Sequence, residues 1–162
     1  MHSILILQLL ILLAVANGAP VAAKLLMGDA YARPLDGGAL FVDRRPLFGQ
    51  SKTIRGILVA VVATTAASAL LGLGWTLGLL VGTVAMASDL LSSFVKRRLG
   101  LPPSSMALGL DHIPESLFPL LASSLLLPLT VLDLALATIL FLVGALVLSP
   151  ILFHFNLRDR PY

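Results

Sequence analysis

Two short stretches carry residue types suited to metal and phosphate chemistry. The first, SDLLSSFVKRR (88–98), sets Asp89, Ser93 and three successive cations directly behind the apolar run LGLLVGTVAMA (77–87). If a helix continues through it, Asp89, Ser93 and Lys96 share one face at i, i+4 and i+7, with Arg97 beside them. A carboxylate at a membrane boundary is a natural ligand for a hard divalent cation, and Lys96 and Arg97 suit phosphate oxygens. The same pattern also describes an interfacial cap followed by a snorkelling Lys-Arg-Arg stop signal. The second stretch, GLDHIPES (109–116), places Asp111 and Glu115 four residues apart before another apolar run. Pro114 suits a first helical turn there, and acids in that turn also complement the helix dipole.

A third polar segment, GDAYARPLDGGALFVDRRPLFGQSKTIRG (28–56), spaces Asp36 and Asp43 among five cations from Arg33 to Arg55. Its GQSKT resembles part of a phosphate-binding loop but lacks the G-x-x-x-x-G-K-[ST] spacing and a preceding strand, so a P-loop is excluded. What remains is Lys52, the hydroxyls of Ser51 and Thr53, and Arg55 at a helix start, where free N–H groups favour phosphate. The three histidines, His2, His112 and His154, are too scattered to form a metal site.

The elements that hold these residues belong in a membrane. Of 162 residues, 58% are hydrophobic and 12% charged, about half the charge a solvated domain carries, and the mean hydropathy is +1.01. There is no cysteine, hence no disulfide framework or thiolate metal site. No aromatic-interleaved basic patch suggests nucleic acid. The expected fold is an all-α integral membrane protein with about five transmembrane helices, near 3–23, 56–71, 73–88, 114–129 and 134–154. Residues 24–55 and 89–113 form two polar cytoplasmic loops.

The first 23 residues carry no Lys, Arg, Asp or Glu. AVANGA (14–19) offers a signal-peptidase site, but the cationic n-region is missing, and an uncleaved span is the preferred reading. Residues 56–88 are too long for one span and turn best at LLGLGW (70–75), with Trp75 at an interface. Asp133 reads as an outer turn residue, and Thr64, Thr65 and Ser68 as helix-packing residues. Asn17 and Pro20 either kink the first span or face a cavity. Five spans place all eleven Lys and Arg residues, including Arg158 and Arg160 of the RDRPY tail, on one side. The positive-inside rule makes that side cytoplasmic.

In combination these stretches resemble the CDP-archaeol synthase family and its bacterial relatives. SDLLSSFVKRRLGLPP and LDHIPES are similar to its G-D-L-x-x-S-F-x-K-R-R-x-G and D-Q motifs. NGAPV (17–21), PLDGG (34–38) and FVDRRPLFGQSKTIRG (41–56) are similar to its early N-x-x-P, P-x-D-G-G and D-x-R-x-x-x-G-x-x-K-T-x-R-G succession. Ser88 stands where the family has glycine, His112 where it has glutamine, and the family's second downstream acid falls at Pro114, with Glu115 one place later.

The resemblance implies a five-span enzyme of the inner (plasma) membrane, active on its cytoplasmic face. Such an enzyme joins CTP to a lipid phosphate, with Mg²⁺, and releases pyrophosphate. It assigns Asp89 and Asp111 as catalytic and metal-binding, with Glu115 as a further metal candidate. Asn17, Asp36, Asp43, Lys52, Thr53, Arg55, Ser93, Lys96 and Arg97 become substrate-binding candidates. A non-catalytic membrane scaffold descended from that family, or a small transporter, stand as alternatives. A transporter predicts functional charges inside the spans, whereas here they cluster at one face.

Overall fold

Backbone groups in hydrocarbon must be satisfied within their own segment, so long apolar runs become helices. The computed structural model has five: α1 (Ser3–Met27), α2 (Ile54–Leu70), α3 (Trp75–Arg98), α4 (His112–Ser123) and α5 (Val131–His154). It describes residues 2–102, 105 and 109–154, with the side chains of 149–154 left aside. The RDRPY tail, with Arg158 and Arg160, lies outside the described residues. Among those described there is no strand, only the isolated bridges Pro34↔Thr53 and Leu40↔Pro46.

The helices alternate in direction. At one end His2, before α1, donates its backbone N–H to Asp133 in the first turn of α5 (3.2 Å). At that same end Gln8 donates to the Leu71 carbonyl after α2, and Ser68 of α2 donates to Gly74 before α3. At the other end Arg55 of α2 donates to the Gly28 carbonyl after α1, and Lys96 of α3 pairs with Asp111 before α4. All nine described Lys and Arg residues lie at this second end.

Among the described residues three segments are long and apolar enough to cross a bilayer: α1, α3 and 131–148 of α5. The 17 residues of α2 make about 25 Å of helix, and the 12 of α4 only about 18 Å. The chain nevertheless passes between the ends five times, because α4 starts beside Lys96 and α5 starts beside His2. Residues 124–130 complete the fourth passage without helix.

Helix bounds differ from the expected spans where polar residues prolong a helix beyond its apolar run. α1 continues through Lys24 to Met27, and α3 runs nine residues past Asp89, so the second loop starts at Leu99. Asp133 is more than a turn residue. It accepts from the N–H and Oγ1 of Thr130 while its own N–H bonds Thr130 Oγ1, a capping box that starts α5. It also takes the His2 backbone and ring at 3.2 Å, tying the ends of α1 and α5.

The core lies where Leu9, Leu12 and Leu13 of α1 meet Leu77, Val81, Leu120 and Ala137. α2 and α3 approach most closely at Gly78 and Gly82, a small-xxx-small pair. A Cβ on Gly78 would stand 2.6 Å from the Thr64 carbonyl oxygen and 2.7 Å from Thr65 Cα. Thr64 and Ser68 are fully buried in this contact, as packing residues should be. The hydroxyls of Thr64 and Thr65 return to carbonyls one turn back.

Candidate functional site

The first loop is built around Asp36. Its carboxylate accepts the N–H groups of Gly38, Phe48 and Gly49 at 3.0–3.1 Å. Partial burial pushes that carboxyl up, but the three N–H donors outweigh it and hold Asp36 below the ordinary 3.8. Gly49 has φ +93°, a conformation closed to most side chains, which turns its N–H toward Asp36. The loop then leads into α2 through Thr53, whose hydroxyl caps the helix by accepting from Gly56 N–H (3.1 Å).

That fold delivers Lys52 onto α3. Its ammonium meets both carboxylate oxygens of Asp89 at 2.5 and 2.6 Å, with about a fifth of each side chain still exposed. Glu115, in the first turn of α4, lies near enough to Asp89, Lys52 and Asp111 for their charges to act on it. One loop and two helices thus place two carboxyl groups and a lysine together, with a third carboxylate nearby.

Asp111 is buried and paired with Lys96 at 2.7 Å, and Lys96 also donates to the Ser105 carbonyl (3.0 Å). Beside them lies Arg97, only 4% exposed. Its Nη2 donates to the Pro102 carbonyl, while among the described residues its Nε and Nη1 find no hydrogen-bond partner. Buried guanidinium N–H groups left over in this way call for an acceptor, which water or an anion can supply. Ser93 is buried on the same stretch of helix, and Ser92 bonds the Leu110 carbonyl, holding the α4 entry against α3.

The continued helix puts Asp89 about 13 Å below the α3 terminus at 1.5 Å per residue. The Lys-Arg-Arg triplet therefore stands two to three turns above it rather than beside it. The reading of 88–98 as a simple interfacial cap covers neither the Lys52 pair nor the unsatisfied Arg97.

Other candidates make contacts within the protein. Asn17 donates to the Leu13 carbonyl one turn back, in a half-buried position on α1. Arg55 closes the end of α1 by donating to the carbonyls of Gly28 (3.0 Å) and Ala30. Asp43 accepts from Arg98 (2.5 Å) and from the Arg45 N–H (3.1 Å), fastening the first loop to α3. Sequence reasoning passed over Arg45, whose guanidinium caps the last carbonyls of α3 at Arg97 (3.3 Å) and Arg98 (2.6 Å). Its signal was its place two residues beyond Asp43, at the first arginine of the D-x-R-x-x-x-G-x-x-K-T-x-R-G pattern that 41–56 resembles.

No three of His, Asp and Glu among the described residues form a cage that could hold a metal by themselves. The donor set still suits a hard cation. Mg²⁺ is usually held by one or two carboxylates, with water and substrate phosphates completing its shell, and Asp89 with Glu115 supplies two.

The CarS-like family of CDP-archaeol synthases matches residues 1–162. CDP-archaeol synthase of Saccharolobus islandicus is 38% identical over 116 residues, covering 67% of this chain and 66% of that relative. The enzyme of the same name from Thermococcus onnurineus is 39% identical over 109 residues, covering 60% and 61%. The match thus spans just under two thirds of these relatives' length. A solved structure described as an intramembrane enzyme for archaeal membrane lipid biosynthesis superposes with a TM-score of 0.72 at 30% identity, covering 86% of this chain and 91% of that one.

Proposed function

We propose that this chain, which belongs to the CDP-archaeol synthase family, is a multi-pass membrane enzyme that transfers the cytidylyl group of CTP to a lipid phosphate. A phosphate oxygen of the lipid attacks the α-phosphorus of CTP. The bond from that phosphorus to the bridging oxygen of the β-phosphate breaks, and pyrophosphate leaves. The products are a CDP-activated lipid and pyrophosphate.

The observation that carries this reading is the convergence of Lys52, Asp89 and Glu115 from three separate elements at the charged end of the bundle. CTP is water-soluble and the lipid phosphate sits at headgroup depth, so the reaction needs an interfacial site. By the positive-inside rule the one-sided cations support a cytoplasmic face for that end of the bundle.

Phosphoryl chemistry of this type relies on positioning and charge neutralisation rather than a covalent nucleophile. Lys52, Lys96 and the unsatisfied edge of Arg97 bind and neutralise triphosphate oxygens, while Ser93 lines the same helix. Asp89, with Glu115 or Asp111, would hold Mg²⁺, which when bound draws charge from the phosphates. Asp89 and Asp111 are each paired with a lysine. Triphosphate oxygens compete for those lysines and release the carboxylates, so nucleotide and metal ligands become available together. Asp36, Asp43, Arg45, Thr53 and Arg55 hold the loop that presents Lys52.

The test is formation of CDP-lipid from labelled CTP by purified protein, over a panel of ester-linked, ether-linked and isoprenoid phosphates. Asp89→Asn preserves size and hydrogen bonding but removes the anion. It should lose about 10²–10³-fold in rate, the scale of one preorganised electrostatic contact, while eluting as folded protein. Absence of product from every lipid phosphate, with CTP still bound, would leave a non-catalytic scaffold as the function. Full turnover by Asp89→Asn would remove the metal assignment alone.

A further inference from the structure

The first loop carries a small hairpin whose apolar tip the catalytic reading leaves unused. Its bridge joins Leu40 to Pro46, closed by Phe41 N–H to the Arg45 carbonyl (2.8 Å) and by Leu47 N–H to the Ala39 carbonyl (3.2 Å). The tip turns at Arg44, with φ +59°. It displays the most water-averse part of the loop: Val42 is 92% exposed and Leu40 61%. Single exposed apolar residues are ordinary on a protein surface, but here two share one short hairpin, and its position decides what they meet.

The place where the hairpin is fastened indicates what covers them. Phe41 meets Phe94 of α3 edge to face at 5.3 Å between centroids. The Arg98 guanidinium lies over both rings at 4.9 and 5.0 Å and bonds Asp43 and the Pro46 carbonyl at 2.5 Å. Arg45 reciprocates by capping the end of α3. Phe94 and Arg98 continue a stripe of α3 formed by Leu79, Thr83, Ala87 and Leu91, spaced four residues apart and exposed along its length. On a bundle of this apolarity, an exposed stripe on a spanning helix faces lipid. The opposite side of the same turns, with Ser92, Ser93, Lys96 and Arg97, is buried. The hairpin is therefore locked over the lipid-facing edge of α3 and not over the site.

From this position we infer that the hairpin 40–46 is an interfacial anchor, inserted into the leaflet at the charged end of the bundle. Val42 and Leu40 enter the boundary between headgroups and acyl chains, and Arg44 and Arg45 lie at the level of anionic headgroup phosphates. Hydrophobic tip residues flanked by arginines are the composition that such an interface selects. The anchor fixes the height of the first loop, and with it Lys52, relative to the bilayer. It does not depend on the cytidylyl-transfer reading.

The absence of cysteine makes the test direct. Val42→Cys gives a single thiol for a nitroxide spin label in protein reconstituted into nanodiscs containing anionic lipid. Collision rates with oxygen and with a water-soluble nickel chelate then report its depth, with Leu91→Cys as a deeper reference. The label at 42 should meet oxygen far more than nickel, and lie shallower than the label at 91. Leu40→Cys provides the same reading should the first variant not fold. Free access of nickel to both hairpin labels overturns the inference. So does dipolar broadening between labels on two chains, which would assign the hairpin to an interface between copies.

Discussion

The contact between α2 and α3 sets how closely Lys52, just before α2, can approach Asp89 on α3, and its glycines allow that contact to be graded. An added Cβ at Gly78 would lie 2.5 Å from Ser68 Cβ, 2.6 Å from Thr64 O and 2.7 Å from Thr65 Cα. Two of those three atoms are backbone, so the helices must part by roughly an ångström to restore ordinary contact. Overpacking of this kind costs ~1–3 kcal/mol, against a gain of ~0.5–1 kcal/mol from replacing glycine within a helix. Gly78→Ala should thus destabilise by ~1–2 kcal/mol. At Gly82 the nearest atoms are Val61 Cα at 3.1 Å and Thr64 Cβ at 3.2 Å. A few tenths of an ångström suffice there, and Gly82→Ala should come out near neutral. Gly144 has nothing within 4 Å, so Gly144→Ala should stabilise by about 0.5–1 kcal/mol. Unfolding by SDS titration in mixed micelles gives the midpoints. The expected order is Gly144→Ala, wild type and Gly82→Ala close together, then Gly78→Ala clearly lowest. A Gly78→Ala protein as stable as wild type refutes the close approach, and with it the account of how Lys52 reaches Asp89.

Metal and nucleotide binding should be mutually dependent, since the lysines they displace are shared. Mn²⁺ binding, followed by electron paramagnetic resonance, should tighten about tenfold or more at saturating CTP, with the reciprocal effect of metal on CTP. Lys52→Ala should weaken CTP binding by about tenfold or more yet tighten Mn²⁺ in the absence of CTP, because Asp89 is released; loss of both affinities would contradict the exchange. Asp36 has a folded-state pKa below its unfolded one, so its contribution is present above the ordinary value of 3.8 and lost as pH falls through the depressed one. Protection of the Phe48 and Gly49 amides from hydrogen exchange, relative to the intrinsic rate at each pH, should therefore fall only below about pH 4, and Asp36→Asn should show reduced protection already at neutral pH. Reporter fusions at Leu40, Leu73, Pro103 and Pro128 should alternate between cytoplasm and exterior, starting in the cytoplasm, and an external reporter at Pro103 would break the five-passage topology.

Charge scarcity and long apolar runs by themselves determined a helical membrane protein. They do so because a bilayer offers no alternative partner for backbone polar groups. The one-sided placement of cations likewise fixed which segments share an end, and the nine described ones do. The order of motifs sufficed to identify the family, and the i, i+4, i+7 spacing of Asp89, Ser93 and Lys96 left a helix open where a loop from 89 was expected and α3 continues to Arg98.

Pairing was decided by the tertiary structure alone. Nothing in the spacing of Lys52 and Asp89, 37 residues apart, says that one neutralises the other, because that contact depends on how Asp36 folds the first loop and on how closely Gly78 lets α2 approach α3. Glu115 reads in the sequence as a dipole-complementing acid, and it becomes a partner of Asp89 only because Ser92 and Lys96 draw the entry of α4 onto α3. Asp133 looked like a turn residue until the bundle brought His2 to it across 131 positions. Local physics along a chain fixes which residues are helical and which end they occupy. Which charges meet depends on packing between helices, and that distance is written in no single segment.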